Sequence, residues 1–313
     1  MKQFTIDVLR LTTLSLTLLS FSCNNDDDMG MDMPTPMIEN VEIGLGNNGI
    51  GIIGRDFHLD MDITAGALIH TVQVQLQQRT GETYPREWSF EIIWDEYKGM
   101  KNTNVHKHFD IPEDAVQGMY DFKITVLDEN GTILEEIAKL ELIDPADLPV
   151  DPQLYMLMVE KVDSGYHHIM GREDFIPDDP VFYNGEKINA YIEINNIKDD
   201  GIMYILLIKK SLGHLPETLE DIDFSKVIVC DVHQHVGIVG TTSFSNFYFP
   251  DSEETPERRE LMIGATQDND LPTPNAITAE KEWGSGTYYY VVIYKNTTHN
   301  IDLHYYFEFE VEM

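Results

Sequence analysis

Apolar residues recur with a period of two along most of this chain, and no other feature restricts its fold as much. Phe57, Leu59, Met61 and Ile63 alternate with His58, Asp60 and Asp62, and Tyr120, Phe122, Ile124 and Val126 alternate with Asp121, Lys123 and Thr125. Val72, Val74 and Leu76 do the same against Gln73, Gln75 and Gln77. Successive side chains on a strand point to opposite faces, so each run packs one face and leaves the other wet. Asp128-Glu129-Asn130-Gly131, set between two apolar runs, marks a hairpin because Asn-Gly accepts positive φ at little cost.

Seven segments read as strands before the first strong break: near 38–43, 54–64, 68–78, 88–97, 104–111, 118–128 and 132–142. Seven short strands in about 105 residues have the size and spacing of an immunoglobulin-like sandwich. The break is Asp144-Pro145-Ala146-Asp147-Leu148-Pro149-Val150-Asp151-Pro152, whose prolines suit neither helix nor sheet interior. Beyond it the same patterning returns with insertions. The expected fold class is therefore all-β, with two immunoglobulin-like β-sandwich domains in tandem, 38–143 and 153–313, joined by a linker at 144–152. Helix is scarce; only Pro216-Glu217-Thr218-Leu219-Glu220-Asp221 reads as a short helical turn.

The N-terminus carries a different signal. Lys2 and Arg10 precede an apolar stretch, Leu11 to Phe21, too short to span a bilayer, which ends at Ser20-Phe21-Ser22-Cys23. Small residues directly before a cysteine are the pattern cut by a lipoprotein signal peptidase, so 1–22 is expected to be a signal peptide and Cys23 the lipidated residue. Residues 23–37, polar and proline-broken, would be a flexible tether. Asn24-Asn25-Asp26-Asp27-Asp28 puts an acidic run after the cysteine, resembling the signal for display on the cell exterior in Bacteroidetes lipoproteins. The expected location is the outer membrane, facing outward, with the lipid as the only membrane attachment.

With Cys23 lipidated only Cys230 remains, so no disulfide framework supports the exported chain. Cys230 lies in Val227-Ile228-Val229-Cys230, a buried-strand sequence, and reads as a packed thiol. A formal net charge of −34 repels phosphate backbones and excludes nucleic acid as a partner. Neither a Gly-x-Ser-x-Gly elbow nor a phosphate loop is present, and with 55 acidic residues carboxylate pairs carry no information by themselves. The chain is not expected to be an enzyme.

Histidine spacing is the informative feature. His106-x-His108 and His233-x-His235 each set two imidazoles on one side of a strand, about 6.6 Å apart along the chain. In the seven-strand sandwich the second and fifth strands are neighbours, which would bring His58 and Asp60 beside His106 and His108. Three imidazoles and a carboxylate suit zinc, or copper(II), whose affinity for imidazole is higher still. His58, Asp60, His106 and His108 are the first candidate metal ligands, and His233 with His235 the second; the plainer alternative is a set of polar residues on a solvated face. His70, His167, His168, His214, His299 and His304 are assigned no role.

Three stretches carry a family resemblance: Gly54 to Ile63, Gly99 to Pro112 and Gly118 to Gly131. They resemble the Bacteroidetes lipoprotein family catalogued as domain of unknown function 4625, over most of 38–143. The resemblance implies histidines recurring on several strands, with His58, His106 and His108 at such places. Gln77, Asp121 and Lys123 stand where relatives tend to have further histidines, which would thin any metal site the family shares. Two functions follow as expectations. One is a non-catalytic binding module that captures a transition metal, zinc or copper, and hands it to an outer-membrane transporter. The alternative is a structural or adhesive surface protein that binds a protein or glycan, with Trp88, Trp94, Trp283 and Tyr288-Tyr289-Tyr290 as contacts.

Overall fold

The alternating runs become strands, and their apolar faces meet. The structure, a computed structural model, describes residues 33–249 and 257–313; Cys23, the leader and most of the tether lie outside the described residues. Before the proline-rich break the strands are β1 (Met37–Ile43), β2 (Ile50–Ile52), β3 (Asp56–Thr64), β4 (Ile69–Gln78), β5 (Ser89–Trp94), β6 (Asn102–Asp110), β7 (Gly118–Asp128) and β8 (Ile133–Ile143). They form two sheets, β1-β3-β6 and β2-β8-β7-β4-β5. Phe57, Leu59, Met61 and Ile63 from the first sheet and Val72, Val74, Leu76, Tyr120, Phe122, Ile124 and Val126 from the second are buried in one core. Each such side chain contributes roughly 1.5–3 kcal/mol by leaving water.

All seven expected segments are strands, and β2 is an addition. Ile50–Ile52 pairs in parallel with the end of β8, so the chain crosses from one sheet to the other between β1 and β2. The crossing is made by Gly44-Leu45-Gly46-Asn47-Asn48-Gly49. Gly44 takes φ 75° and a Cβ there would lie 2.3 Å from Asn48 Oδ1, so the turn requires glycine.

The linker is docked rather than free. Pro145–Asp147 is a short 3-10 turn capped by Asp144, whose Oδ1 accepts from Ala146 N. Val150 is buried, and Arg55 grips Asp151 through two hydrogen bonds of 2.6 and 2.8 Å.

Beyond the linker come β9 (Gln153–Lys161), β10 (Gly165–Ile169), β11 (Val181–Tyr183), β12 (Lys187–Lys209), β13 (Val227–Ser245), β14 (Leu261–Met262), β15 (Gly286–Asn296) and β16 (Ile301–Glu312). They are hydrogen-bonded into one network in the order β10-β9-β12-β15-β16-β11, with β13 and β14 also on β12. β12 serves two partner sets: its first part pairs β9, its last part pairs β15, and register shifts between Ile194 and Gly201 separate them. Inward residues from both parts of β12 share one core with β9, β13, β15 and β16. No sheet takes strands from both sides of the linker, yet Pro34–Met313 cluster as one unit.

Ile205-Leu206-Leu207-Ile208 and Val227-Ile228-Val229 are buried without alternation, the pattern of strands covered on both faces. The second cover is the segment between β12 and β13. Ile222 is buried and Leu219 packs with it against Leu206, Ile208, Val229, Val291 and Ile293. The expected helical turn at 216–221 is instead a non-helical turn, because Thr218 donates from both N and Oγ1 to Asp221 Oδ2. Tyr306 donates its hydroxyl proton to Pro216 O, which holds the backbone just before Glu217. Cys230 is a buried free thiol, its pKa pushed up by that burial. Among the described residues no helix is long and apolar enough to cross a membrane.

Candidate metal centre

β3 and β6 pair antiparallel, with His58 opposite His108 and Asp60 opposite His106. Three imidazoles thus share one patch of the β1-β3-β6 sheet, on the face away from the core. The segment held over β12 and β13 then lays Glu217 across them. His106 Nε2 and His108 Nε2 are 3.2 Å apart, and Glu217 Oε1 lies 3.5 Å from the first and 3.2 Å from the second. His58 Nδ1 is 3.1 Å from Glu217 Oε2, without the alignment of a hydrogen bond. One donor atom from each of His58, His106, His108 and Glu217 lies within 4.8 Å of all the others; among the described residues this is the one group of three or more such ligands.

The outer nitrogens decide what the inner ones can do. His108 Nδ1 is 2.6 Å from Asp56 Oδ2, and His106 Nδ1 is 3.0 Å from Asp60 Oδ2. The His108 contact has hydrogen-bond geometry and, with the proton on Nδ1, leaves a lone pair on Nε2 of the neutral ring, whereas the His106 contact is one of distance alone. Two ring nitrogens and a carboxylate oxygen thus face one another at 3.2–3.5 Å, a spacing that either a proton on one Nε2 or a cation among the three atoms satisfies. The triangle is nearly equilateral. Zinc bonds of 2.0–2.1 Å in a tetrahedron place ligand atoms about 3.3 Å apart, whereas square-planar copper(II) would give two short edges and one of about 4 Å.

The electrostatics agree. Burial pulls the His58 pKa down, but Glu217, Glu42 and Asp60 outweigh it and hold the ring above its ordinary value. Burial likewise works against the Glu217 carboxylate, yet His58, His304 and His108 bring its pKa down to about 2. Glu217 is thus ionised at every pH at which the protein would meet a metal. The side chain of His58 is only 6% exposed and that of His106 44%, so the centre is walled on one side and open to solvent on the other.

Several expected residues change place or role. Asp60 is not the fourth ligand: lying directly across from His106, it meets Nδ1, the wrong side of that ring. His58 is buried rather than on a wet face, because Glu217 and its segment cover it. His233 and His235 do not converge. His235 turns inward over Gly201, where a Cβ would sit 2.4 Å from its Nε2, and its nitrogens meet Asp199 O and the Tyr294 hydroxyl, each at 3.0 Å. His233 stays outside and pairs with Asp231 at 2.7 Å. Gln77, Asp121 and Lys123 lie on β4 and β7, in the other sheet, so histidines there would not have joined this centre. Trp94, Tyr288 and Tyr290, suggested as contacts, are buried, and Trp88 and Trp283 pack against the cores. Glu217 had no signal in the sequence, nor did His304, whose half-buried ring stands close to Glu217.

Fold and site together define an all-β protein with a three-histidine, one-carboxylate cluster where two strands meet a covering loop. Residues 21–143 match the family described as Domain of unknown function (DUF4625). That stretch contains the three histidines with Asp56 and Asp60, while Glu217 lies beyond it. No curated protein matches the chain. Among solved structures, dimeric latent PorU from Porphyromonas gingivalis aligns at 10% identity with a TM-score of 0.30, over 91% of this chain and 21% of that one. This chain therefore spans about a fifth of that protein's length.

The carboxylates behind the histidines give a first test. Replacing Asp56 by Ala frees His108 to rotate and to change tautomer, so zinc affinity should fall about 10- to 100-fold by competition titration with a chromophoric chelator. An unchanged affinity would mean that His108 is not a ligand.

Proposed function

We propose that this protein is a metal-capturing module, binding one zinc ion through His58, His106, His108 and Glu217. The observation that carries the reading is the convergence of His106 Nε2, His108 Nε2 and Glu217 Oε1 at 3.2–3.5 Å while both Nδ1 atoms face carboxylates. Four protein ligands leave no position for a substrate, which supports binding over catalysis. The exposed edge at His106 gives the ion a way in and out, which supports capture and hand-over, for instance to an outer-membrane transporter, rather than permanent structural zinc. A net charge of −34 gathers cations around the molecule. Elemental analysis of protein purified without a histidine tag, after equilibration with zinc and gel filtration, should give one zinc per chain; a value near zero would remove the reading.

The place of action belongs to the same proposal. Lipidation at Cys23 would hold the module at the outer membrane, displayed outward by the acidic run that follows. Cys23→Ser should move the protein from the membrane fraction to the soluble fraction in fractionated cells. A membrane fraction that stays unchanged would mean that Cys23 is not the anchor.

A further inference from the structure

The four residues of the cluster come from opposite halves of the chain. His58, His106 and His108 stand on β3 and β6, before the linker, and Glu217 on the segment between β12 and β13, after it. Little else joins the halves. Among the described residues no strand pairing crosses the linker, and none of the apolar clusters takes side chains from both sides of it. The polar contacts that cross are that of Asn48, whose Nδ2 donates to Asn300 O at 3.3 Å, and those of Glu217 with His58, His106 and His108 at 3.1–3.5 Å. All but one therefore end on the same carboxylate. Where apolar side chains do approach across the seam, with Leu45, Ile50 and Phe57 on one side and Ile301 on the other, they line a cavity of about 140 Å³ instead of closing on one another.

Two bodies that meet through polar groups and an unfilled seam, with no shared core, move against each other unless something else ties them. Hydrogen bonds and ion pairs across such a seam gain little net, because both partners are solvated when apart. A zinc ion bonded to both sides is a far stronger tie. We propose that the metal centre is a clasp between the two halves: zinc on His58, His106 and His108 holds Glu217 across the seam, and in the metal-free chain the halves part about the linker and carry Glu217 away. This rests on the reading of the cluster as a zinc site and adds how that site is regulated. The β3-β6 pairing keeps the three histidines together whatever the halves do, so capture survives the opening. In the open form the ion sits on three imidazoles with one position free for an incoming ligand. Hand-over then proceeds from the open form and retention from the closed one, and the ligand that leaves is the one supplied by the other half.

Small-angle X-ray scattering on the soluble chain from residue 23 onward, carrying Cys23→Ser, tests the clasp, with zinc per chain measured on the same samples. With chelator this chain should show the larger radius of gyration. One equivalent of zinc should lower it by about a tenth, toward the value of about 19 Å for a compact chain of this size. Glu217→Ala in excess zinc should still hold one ion on the three histidines, with affinity at least tenfold weaker, yet keep the larger radius. Glu217→Gln, which preserves the size of the side chain, should do the same and keeps the test decisive should Glu217→Ala not fold. Zinc bound with an unchanged radius, or a zinc-loaded Glu217 variant that compacts as fully as the unsubstituted site, would overturn the clasp and leave the metal site standing. No zinc on the unsubstituted site would remove the metal reading, and the clasp with it.

Discussion

Zinc should raise the melting temperature of the wild-type chain, and His106→Ala combined with His108→Ala should abolish that rise. A ligand that binds only the folded state stabilises it by RT ln(1 + [L]/Kd), about 2.7 kcal/mol at a hundredfold excess over Kd. For a chain of this size that is a shift of roughly 4–5 °C. The double variant loses two of the four ligands, including both atoms of the 3.2 Å nitrogen pair. Its metal-free melting should stay within about 0.5 kcal/mol of wild type, since both rings are partly exposed and His58 remains to pair with Glu217. A variant that melts like wild type without zinc but no longer responds to it separates a lost ligand from a damaged fold. A zinc response equal to wild type would show that the metal binds elsewhere.

The second large effect is the pH dependence of zinc affinity, and its direction follows from His58 and Glu217. Zinc requires unprotonated imidazole, so it competes with protons at His58, His106 and His108. The His58 pKa is held above the ordinary 6.5, so affinity should begin to fall above that pH and drop at least about 100-fold between pH 7.5 and 5.5. Glu217, with its pKa brought down to about 2, stays charged throughout and contributes nothing to that fall. The metal-free protein should move the other way. A histidine with a raised pKa stabilises the fold fully below 6.5, and that stability is lost as pH rises through its folded value. The contribution of Glu217 is present above about 4.5 and lost only as pH falls toward 2. Between pH 6 and 8 the stabilising contribution of His58 in the metal-free protein should therefore decline, read as the difference in melting between wild type and His58→Gln, while the zinc-induced shift grows. Affinity flat across that range would contradict a histidine-ligated ion.

The strands and three of the four residues of the site were legible because both rest on local periodicity. Phe57, Leu59, Met61 and Ile63 could only be buried together on one face, and once β3 lies beside β6 the histidines on the opposite face must share a patch. The short β2 was not legible: Ile50-Gly51-Ile52 is too brief to show a period, and its pairing with β8 depends on a glycine turn. Glu217 was hidden for a different reason. It is one of 55 acidic residues, and nothing in its neighbours marks it. It arrives at the histidines because Leu219 and Ile222 bury themselves on a sheet formed by strands far away in sequence. The same long-range packing buries His58, whose alternation with Phe57 and Leu59 reads as exposure. His235 fails as a ligand by the reverse route, since Gly201 opposite it leaves room for the ring to turn inward.

The central claim is a zinc ion held jointly by the β3-β6 face and the segment over β12 and β13. Anomalous scattering above and below the zinc edge, from crystals of the untagged chain grown with one equivalent of zinc, addresses it directly. The account predicts a single strong peak within about 2.0–2.2 Å of His106 Nε2, His108 Nε2, a His58 ring nitrogen and a Glu217 oxygen. A zinc-saturated crystal with no peak there, or with the peak at His233 or on surface carboxylates, would contradict it.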